Sequence, residues 1–294
     1  MTTMKKSAFV IAFAVALTLT SFCRAQVVVH YPGSANQLSE RWKWSRAEIN
    51  QKRFDHGCWV GYSIQHHMGK KSFIGTFRSD WGRHKATLEE LLTGLHRAPG
   101  VDEESAGLPF QTEGTTTLDD EEKEEGQVIK EVGLLFHVGA DGAIDELRAS
   151  NLSLPFDFAG GPLLWLGTAD HHESESFIES LYGETKNTEL KKSLIMALGI
   201  HEGSKEAFDF LKAILLSSES TDIREDAAFW LGQTGTDDAR NVLLSAAQND
   251  RSESVREKAV FSISQMRGLA SVEAIITIAK LPAMRVIRGM ESRD

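Results

Sequence analysis

Histidine is the side chain in the first part of the sequence with the clearest capacity for metal binding or proton transfer. Five histidines lie between residues 30 and 84: His30, His56, His66, His67 and His84. His66 and His67 are adjacent in a predicted strand, so their side chains should point to opposite faces of the sheet. A zinc site needs three or four converging ligands, and the sequence contains no His-x-x-x-His or Cys-x-x-Cys pattern. We therefore expect neither a metal ion nor another cofactor in this region.

Two further groups of histidine and glutamate lie in the second half, at predicted turns between helices. They are His171-His172-Glu173 and His201-Glu202. Imidazole and carboxylate groups suit metal binding or proton transfer, but in loops they are most often hydrated. The sequence also lacks a Gly-x-Ser-x-Gly nucleophile motif and a phosphate-binding loop. We therefore predict no catalytic, cofactor-binding or metal-binding residue.

The elements that must position these side chains are clearest in the second half, where one amphipathic helix is repeated three times. The copies begin at Leu190, Ile223 and Val255, which gives offsets of 33 and 32 residues. In each copy apolar residues recur every four positions, so they share one helix face. These positions are Leu190, Leu194 and Leu198; Ile223, Ala227 and Leu231; and Val255, Ala259 and Ile263. Such repetition predicts a stack of helical units.

A second amphipathic helix follows each copy at the same period. Its apolar positions are Ala207, Phe210, Leu211 and Ile214; Ala239, Val242, Leu243 and Ala246; and Ser271, Ala274, Ile275 and Ile278. The same pattern occurs once more around Phe177 and Ile178, and Gly167 lies 32 residues before Gly199. For this first unit we predict a short leading helix after Pro162, because proline suits the first turn of a helix.

The predicted helix ends follow the same period. Gly199 and Gly232 stand where the first helices should end, and glycine commonly ends a helix by turning the chain. Ser254 and Glu257 have the spacing of a capping box, which predicts the start of the third copy.

HEAT-like repeats of the phycobilisome-lyase type resemble this pattern. The residues that carry the resemblance are the Ile-Arg-x-x-Ala-x-x-x-Leu-Gly run at Ile223–Gly232 and its partner at Val255–Ser264. The chain also resembles a group of exported bacterial HEAT-repeat proteins. Members have a Trp-x-Gly-Tyr-Ser-Ile segment, here Trp59–Ile64, and a Pro-x-x-x-x-Gly-x-Pro-Leu-Leu-Trp-Leu-Gly segment, here Pro155–Gly167. The repeat resemblance covers roughly residues 158–280 and implies an α-solenoid with one extended concave surface.

Other repeat families fit this sequence less well. In the di-iron enzyme deoxyhypusine hydroxylase, which is built from HEAT-like repeats, His-Glu pairs follow the Val-Arg of the repeat within a helix. The matching positions here are Lys192-Ser193, Glu225-Asp226 and Glu257-Lys258, so the resemblance does not extend to its metal ligands. The spacing of the tetratricopeptide repeat and the Thr-Pro-Leu-His of ankyrin repeats are also absent.

The first half predicts a small α+β region. Alternation of apolar and polar residues indicates strands, and Asp141-Gly142 between two such runs is typical of a hairpin. The acidic run at residues 119–125 cannot bury enough apolar area to become ordered, which predicts a disordered linker. The predicted elements are a helix over Gln37–Arg53, strands over Cys58–Met68 and Ser72–Phe77, a helix over Thr87–Leu95, and a hairpin over Gln127–Val138 and Ile144–Leu152.

The N-terminus predicts export from the cytoplasm. Two lysines precede an apolar run from Ala8 to Phe22, and Cys23-Arg24-Ala25 follows, which is the pattern of a secretory signal peptide. The apolar run is shorter than the roughly 20 residues that span a bilayer, so we expect cleavage after Ala25 and no membrane span afterwards. The predicted location is periplasmic or secreted.

The composition of the cleaved chain restricts its partners. Loss of Lys5, Lys6 and Arg24 changes the formal net charge from −10 to −13, which argues against nucleic acid as a partner. Cleavage also leaves Cys58 as the one cysteine, which we expect to be a buried apolar residue without a disulfide partner.

The sequence therefore predicts a mainly α fold: a HEAT-like α-solenoid of about four helix pairs, preceded by a small α+β region with a β-hairpin. At the C-terminus Ile287-Arg288 begins a fifth unit that stops at Asp294, which predicts either a partly bare apolar end face or a shortened member of the family. The predicted segments are a signal peptide (1–25), the α+β region (26–96), the acidic linker (97–126), the hairpin (127–155), HEAT-like repeats (156–281) and a truncated tail (282–294).

The predicted function is that of a non-enzymatic scaffold or adaptor outside the cytoplasm, which binds another protein through the concave face of the repeats. The second helices should line that face. The candidate partner-binding residues are Lys205, Asp209, Lys212, Asp238, Arg240 and Asn241. The alternative is an enzyme or accessory subunit of lyase type, with a site between the N-terminal region and the repeats.

Overall fold

The computed structural model describes residues 26–75, 86–94, 126–201, 203–266 and 268–280. The strands are β1 (Val28–His30), β2 (Cys58–Gly69), β3 (Gln127–Val138), β4 (Ile144–Asn151) and β5 (Leu163–Thr168). The helices are α1 (Leu38–Lys52), α2 (Leu88–Thr93), α3 (His171–Glu184), α4 (Thr188–Gly199), α5 (Lys205–Leu215), α6 (Thr221–Gln233), α7 (Asp237–Asn249), α8 (Glu253–Gln265) and α9 (Leu269–Ala279). The predicted signal peptide, nearly all of the acidic linker and the C-terminal tail lie outside the described residues, and their predictions stay untested.

A single five-stranded sheet forms the N-terminal part of the fold, in the order β1-β5-β2-β3-β4. The hairpin of β3 and β4 is confirmed, and β2 pairs with β3 along its whole length, from Cys58 opposite Val138 to Gly69 opposite Gln127. The second predicted strand is not found over residues 72–75. In this segment the Ile74 carbonyl accepts a hydrogen bond from the backbone N–H of Asn151 at 2.8 Å.

The strand β5 corrects the prediction for the first repeat unit. Residues 163–167 form no leading helix; they lie between β1 and β2 and run parallel to both. Leu163, Leu164 and Leu166 are almost completely buried, since both faces of the sheet are covered at this point. A short apolar run that is buried on both sides has no alternating pattern, so periodicity alone cannot distinguish a strand from a buried helix.

The two faces of the sheet pack against different helices. On one face Val60, Tyr62 and Ile64 share a core with α1 and with the helices that follow β5. On the other face Trp59 and Trp165 belong to a smaller cluster with residues of α2. Cys58 is buried, as predicted, and burial raises the pKa of its thiol to about 12.

The repeated helices are confirmed as three pairs: α4 with α5, α6 with α7, and α8 with α9. All nine predicted apolar positions of the first helices are buried, including Leu194, Ala227 and Ala259 with no exposed surface. The helix α3 matches the predicted second helix of an earlier unit, but β5 precedes it in place of a first helix. The described part of the chain therefore contains three complete pairs where about four were predicted.

Gly199 and Gly232 allow close packing between helices, and neither turns the chain. A Cβ atom at Gly199 would lie 2.3 Å from the Trp230 ring, and one at Gly232 would lie 2.7 Å from Ser262. The turns follow a few residues later, at Gly203 and Gly235, each with φ of +66°. The prediction that the first two glycines end helices by turning is therefore wrong in mechanism.

We expect Gly199→Ala to lower the free energy of unfolding by about 1–2 kcal/mol. Overpacking of a filled core costs about 1–3 kcal/mol, and alanine recovers up to about 1 kcal/mol of helix propensity. Gly183→Ala is the matched control because a Cβ atom there contacts nothing within 4 Å, and it should be neutral or stabilising. Urea denaturation followed by circular dichroism measures both, and equal stability of the two variants would contradict the packing role.

The sheet and the repeats are joined by polar contacts as well as by the shared core. The Tyr62 hydroxyl lies 2.8 Å from the Ser174 hydroxyl, and Trp42 of α1 contacts the ring of Phe177 in α3. Arg41 donates to the carbonyls of Leu166 and Thr168, both at 2.8 Å. No helix in the described part of the chain is both long and apolar enough to cross a bilayer.

Candidate functional site

The predicted partner-binding residues lie on α5 and α7, the second helices of the first two pairs. Five of the six are exposed or partly exposed: Lys205, Asp209, Lys212, Asp238 and Asn241. Lys205 and Asp209 form an ion pair one helical turn apart. The structure therefore leaves these five side chains accessible to a partner, although their role in binding stays a prediction.

Arg240 differs from the other five because it is buried, with 9 % of its surface exposed. Its Nε donates to the Ser271 hydroxyl at 3.0 Å, and its Nη1 donates to Asp237 at 2.5 Å. The expectation that Arg240 is exposed is therefore wrong. The long side chain reaches across to the next second helix, so it stabilises the stack between α7 and α9.

Positions that are 32 residues apart are equivalent on the three second helices, so the exposed surface of α5 and α7 continues onto α9. For example, Asp209, Asn241 and Glu273 occupy equivalent positions on α5, α7 and α9. Every residue is exposed at four such sets of positions, one of which consists of the first residue of each helix, Lys205, Asp237 and Leu269. We call the other three sets the second-helix face: Glu206, Asp209 and Ala213 on α5; Asp238, Asn241 and Ser245 on α7; Ala270, Glu273 and Thr277 on α9.

The exposed apolar residues of α9 belong to a different surface. Leu269, Val272 and Ile276 are 82 %, 53 % and 47 % exposed. Val272 and Ile276 are 32 residues after Arg240 and Leu244. Arg240 donates to Ser271 of the following unit, and Leu244 is partly buried against the shared core. The apolar stripe of α9 therefore occupies positions that, one unit earlier, contact the core or the next unit.

A second candidate site combines His171, Glu175 and His201. His171 and Glu175 are one turn apart on α3, so they share one helix face. His201 follows α4, and its ring centroid is 5.3 Å from that of His171. One donor atom from each of the three side chains lies within 4.8 Å of the other two. The structure therefore brings together groups that are 30 residues apart in sequence.

His201 is the most buried member of this cluster, with 3 % of its surface exposed. Its Nδ1 is 2.8 Å from the Ala197 carbonyl, which can only accept, so Nδ1 carries the proton. Its Nε2 is buried and has no hydrogen-bond partner among the described residues. Burial lowers the pKa of His201 to about 4, which keeps the imidazole neutral near pH 7. The expectation of a hydrated loop histidine is therefore wrong for His201.

Glu175 is almost as buried, with 3 % exposed, and burial raises the pKa of its carboxyl group. The Ser204 hydroxyl acts against this rise in pKa, and Oε1 of Glu175 has no hydrogen-bond partner among the described residues. His66 of β2 lies at the edge of the cluster, where its imidazole hydrogen-bonds the backbone of Ile200. Burial lowers the pKa of His66 to about 4.

A separate cleft of about 630 Å³ lies beside the sheet and α2. Several of its polar side chains already have hydrogen-bond partners: the Ser63 hydroxyl donates to Glu131 at 2.9 Å, and Lys130 donates to the backbone carbonyl of Ser72 at 2.8 Å. The lining is completed by His30, Glu89, Leu92, Thr93, Leu152, Ser153, Trp165 and Thr168. This arrangement favours a structural role for these polar groups over a catalytic one.

Comparison with known families supports the repeat interpretation. Residues 208–290 match the family described as HEAT repeats. The match covers most of α5, the helices α6–α9 and residues 281–290, which lie outside the described part of the chain. No curated protein is significantly similar to the chain. The match supports a HEAT-repeat protein, and proteins with such repeats are commonly interaction scaffolds.

Proposed function

We propose that this chain is a non-enzymatic scaffold or adaptor that binds another protein through the second-helix face. The observation that carries this proposal is the exposure of all nine positions of this face across α5, α7 and α9. Repeats that share a core only with their neighbours present such positions as one continuous surface. The HEAT-repeat match supports the same class of function.

The chemistry of this face favours a basic partner. It carries no basic side chain and four acidic ones, which are Glu206, Asp209, Asp238 and Glu273. The neighbouring Lys205 is paired with Asp209, so it offsets part of this charge. Complementary charge steers association and determines orientation. We therefore propose a partner with a lysine- or arginine-rich surface or segment.

We expect the triple variant Asp209→Lys, Asp238→Lys, Glu273→Lys to reduce partner capture at least tenfold, because it reverses the charge of the face. The full mature chain serves as bait, and bound protein is quantified from an extract of the source cells. Point variants are preferable to removal of the repeat region from residue 156, since β5 is an internal strand of the sheet.

The matched control reverses three exposed acids on the first helices: Glu189→Lys, Asp222→Lys and Glu253→Lys. It should retain capture, and capture by the unmodified chain should weaken as salt is raised. Equal loss in both triple variants, with both folded by circular dichroism, would contradict the assignment of the face.

We further propose that the scaffold acts outside the cytoplasm, on the basis of the N-terminal signal-peptide pattern. The mature protein should begin at Gln26 and be recovered from the periplasm or the medium. Recovery of a chain that begins at Met1 from the cytoplasm would exclude this location. The lyase-type enzyme that the sequence left open gains no support from the comparisons.

A further inference from the structure

We propose that His171, Glu175 and His201 form a binding site for a divalent transition-metal ion, with Zn²⁺ as the expected occupant. One donor atom from each residue lies within 4.8 Å of the other two. Two ligands of a tetrahedral zinc ion are about 3.4 Å apart, given bond lengths of about 2.0–2.1 Å. The donor atoms would therefore have to approach one another by roughly an ångström. Rotation of the His171 side chain can supply this movement, because His171 is only partly buried.

The hydrogen bonding of His201 matches that of a metal ligand. A ligating histidine usually donates its other ring N–H to a carboxylate or a backbone carbonyl, which fixes its tautomer and orientation. Here Nδ1–H donates to Ala197 at 2.8 Å, and Nε2 is buried without a hydrogen-bond partner among the described residues. Without a ligand, a buried acceptor of this kind costs free energy, because water no longer satisfies it. A metal ion would supply the missing interaction.

The burial of the Glu175 carboxyl group also favours a cationic ligand at this position. Burying a carboxylate is costly unless a cation or several hydrogen bonds compensate its charge. The groups named as acting on its charge are Ser204, His171, Glu206 and His172, together with Glu179, and none of these is a lysine or arginine. A dication among these side chains would compensate the charge of Glu175 and favour its ionised form.

The donor set selects the class of metal. Two imidazoles and one carboxylate suit Zn²⁺ and neighbouring transition metals, whereas Ca²⁺ and Mg²⁺ prefer oxygen ligands. Three protein ligands leave a fourth position for water or another group. Because His201 follows α4 and the other two ligands lie on α3, the ion would connect two successive repeat units. This proposal does not depend on the protein-binding role of the second-helix face.

The test uses the tag-free mature chain after treatment with EDTA and dialysis. Isothermal titration with Zn²⁺ should give one site per chain, and Zn²⁺ should raise the thermal unfolding midpoint because a ligand of the folded state stabilises it. Co²⁺ should give the visible absorption of a tetrahedral site. Ca²⁺ and Mg²⁺ at the same concentration should change neither reading.

The variants His171→Gln and Glu175→Gln should each weaken Zn²⁺ binding at least tenfold. His56→Gln and Glu184→Gln are the controls, since His56 is exposed before β2 and Glu184 is exposed at the end of α3. Each should change Zn²⁺ binding less than threefold. Both ligand variants must keep the metal-free unfolding midpoint within a few degrees, which separates lost ligation from misfolding. The proposal is overturned if no stoichiometric Zn²⁺ binds, or if the controls weaken binding as much as the ligand variants.

Discussion

The variant Asp250→Ala should lower the free energy of unfolding by about 3–5 kcal/mol, the cost of breaking a buried ion pair from one side. Asp250 follows α7 and binds Arg224 of α6, and their side chains are only 9 % and 3 % exposed. The other carboxylate oxygen of Asp250 accepts from the Ser252 N–H at 2.8 Å, just before α8. Alanine would leave the guanidinium group buried without its partner.

The matched control is Asp209→Ala, which breaks an exposed ion pair within α5. Its unfolding midpoint should stay close to that of the unmodified chain, because exposed pairs contribute little. Chemical denaturation of both variants measures the difference. Similar stability of the two aspartate variants would show that the buried Arg224 pair contributes little to the free energy of unfolding.

Removal of the Arg41 guanidinium group should lower the free energy of unfolding by about 3 kcal/mol, the second largest effect that we expect. Arg41 lies in α1, yet it binds two carbonyls of β5 and pairs with Glu173 of α3 at 3.2 Å. The variant Arg41→Met keeps the apolar stem and removes the charge. It would leave two carbonyls unsatisfied and Glu173 without its cation. We expect the sheet and the repeats to unfold less cooperatively in this variant.

Calorimetry measures this loss of cooperativity, since uncoupled parts give a calorimetric enthalpy above the van't Hoff enthalpy. Lys52→Met is the control on the same helix. Its ion pair with Glu48 is partly exposed and should contribute about 0.5 kcal/mol or less. Fully two-state unfolding of Arg41→Met at unchanged midpoint would rule out the coupling role.

The repeat helices could be predicted because their signal is local and recurs. Leu194, Ala227 and Ala259 belong to stripes that a 3.6-residue period identifies, and the 32-residue offset distinguishes them from chance. The helix α2 was predicted for the same reason, and Thr87 forms a capping box with Glu90. Each of these features depends on residues a few positions apart.

The missed features depend on contacts between distant segments. Whether Leu163–Thr168 forms a strand depends on β1 and β2 on its two sides, and β1 lies more than 130 residues earlier. The role of Gly199 depends on Trp230 in the next unit. In the sequence Arg240 resembles an exposed arginine. Its burial depends on the packing of α9, where Ser271 accepts its hydrogen bond.

The histidine cluster could be predicted only in part. His171 and Glu175 have the helical spacing of two ligands, but their His-x-x-x-Glu pattern differs from the His-x-x-x-His pattern typical of zinc sites. The third member is brought in by the fold, because α4 returns the chain to the start of α3. His66 and His67 were expected to point to opposite faces. Of the two, His66 lies near this cluster.

The most direct test of the central claim is photo-crosslinking in intact cells. A benzophenone side chain at Asn241, in the middle of the second-helix face, should form a covalent adduct with a partner protein. The same group at Glu257, which is exposed on the first helix α8, should form none. Adducts from position 257 without adducts from position 241 would show that the chain binds through a different surface.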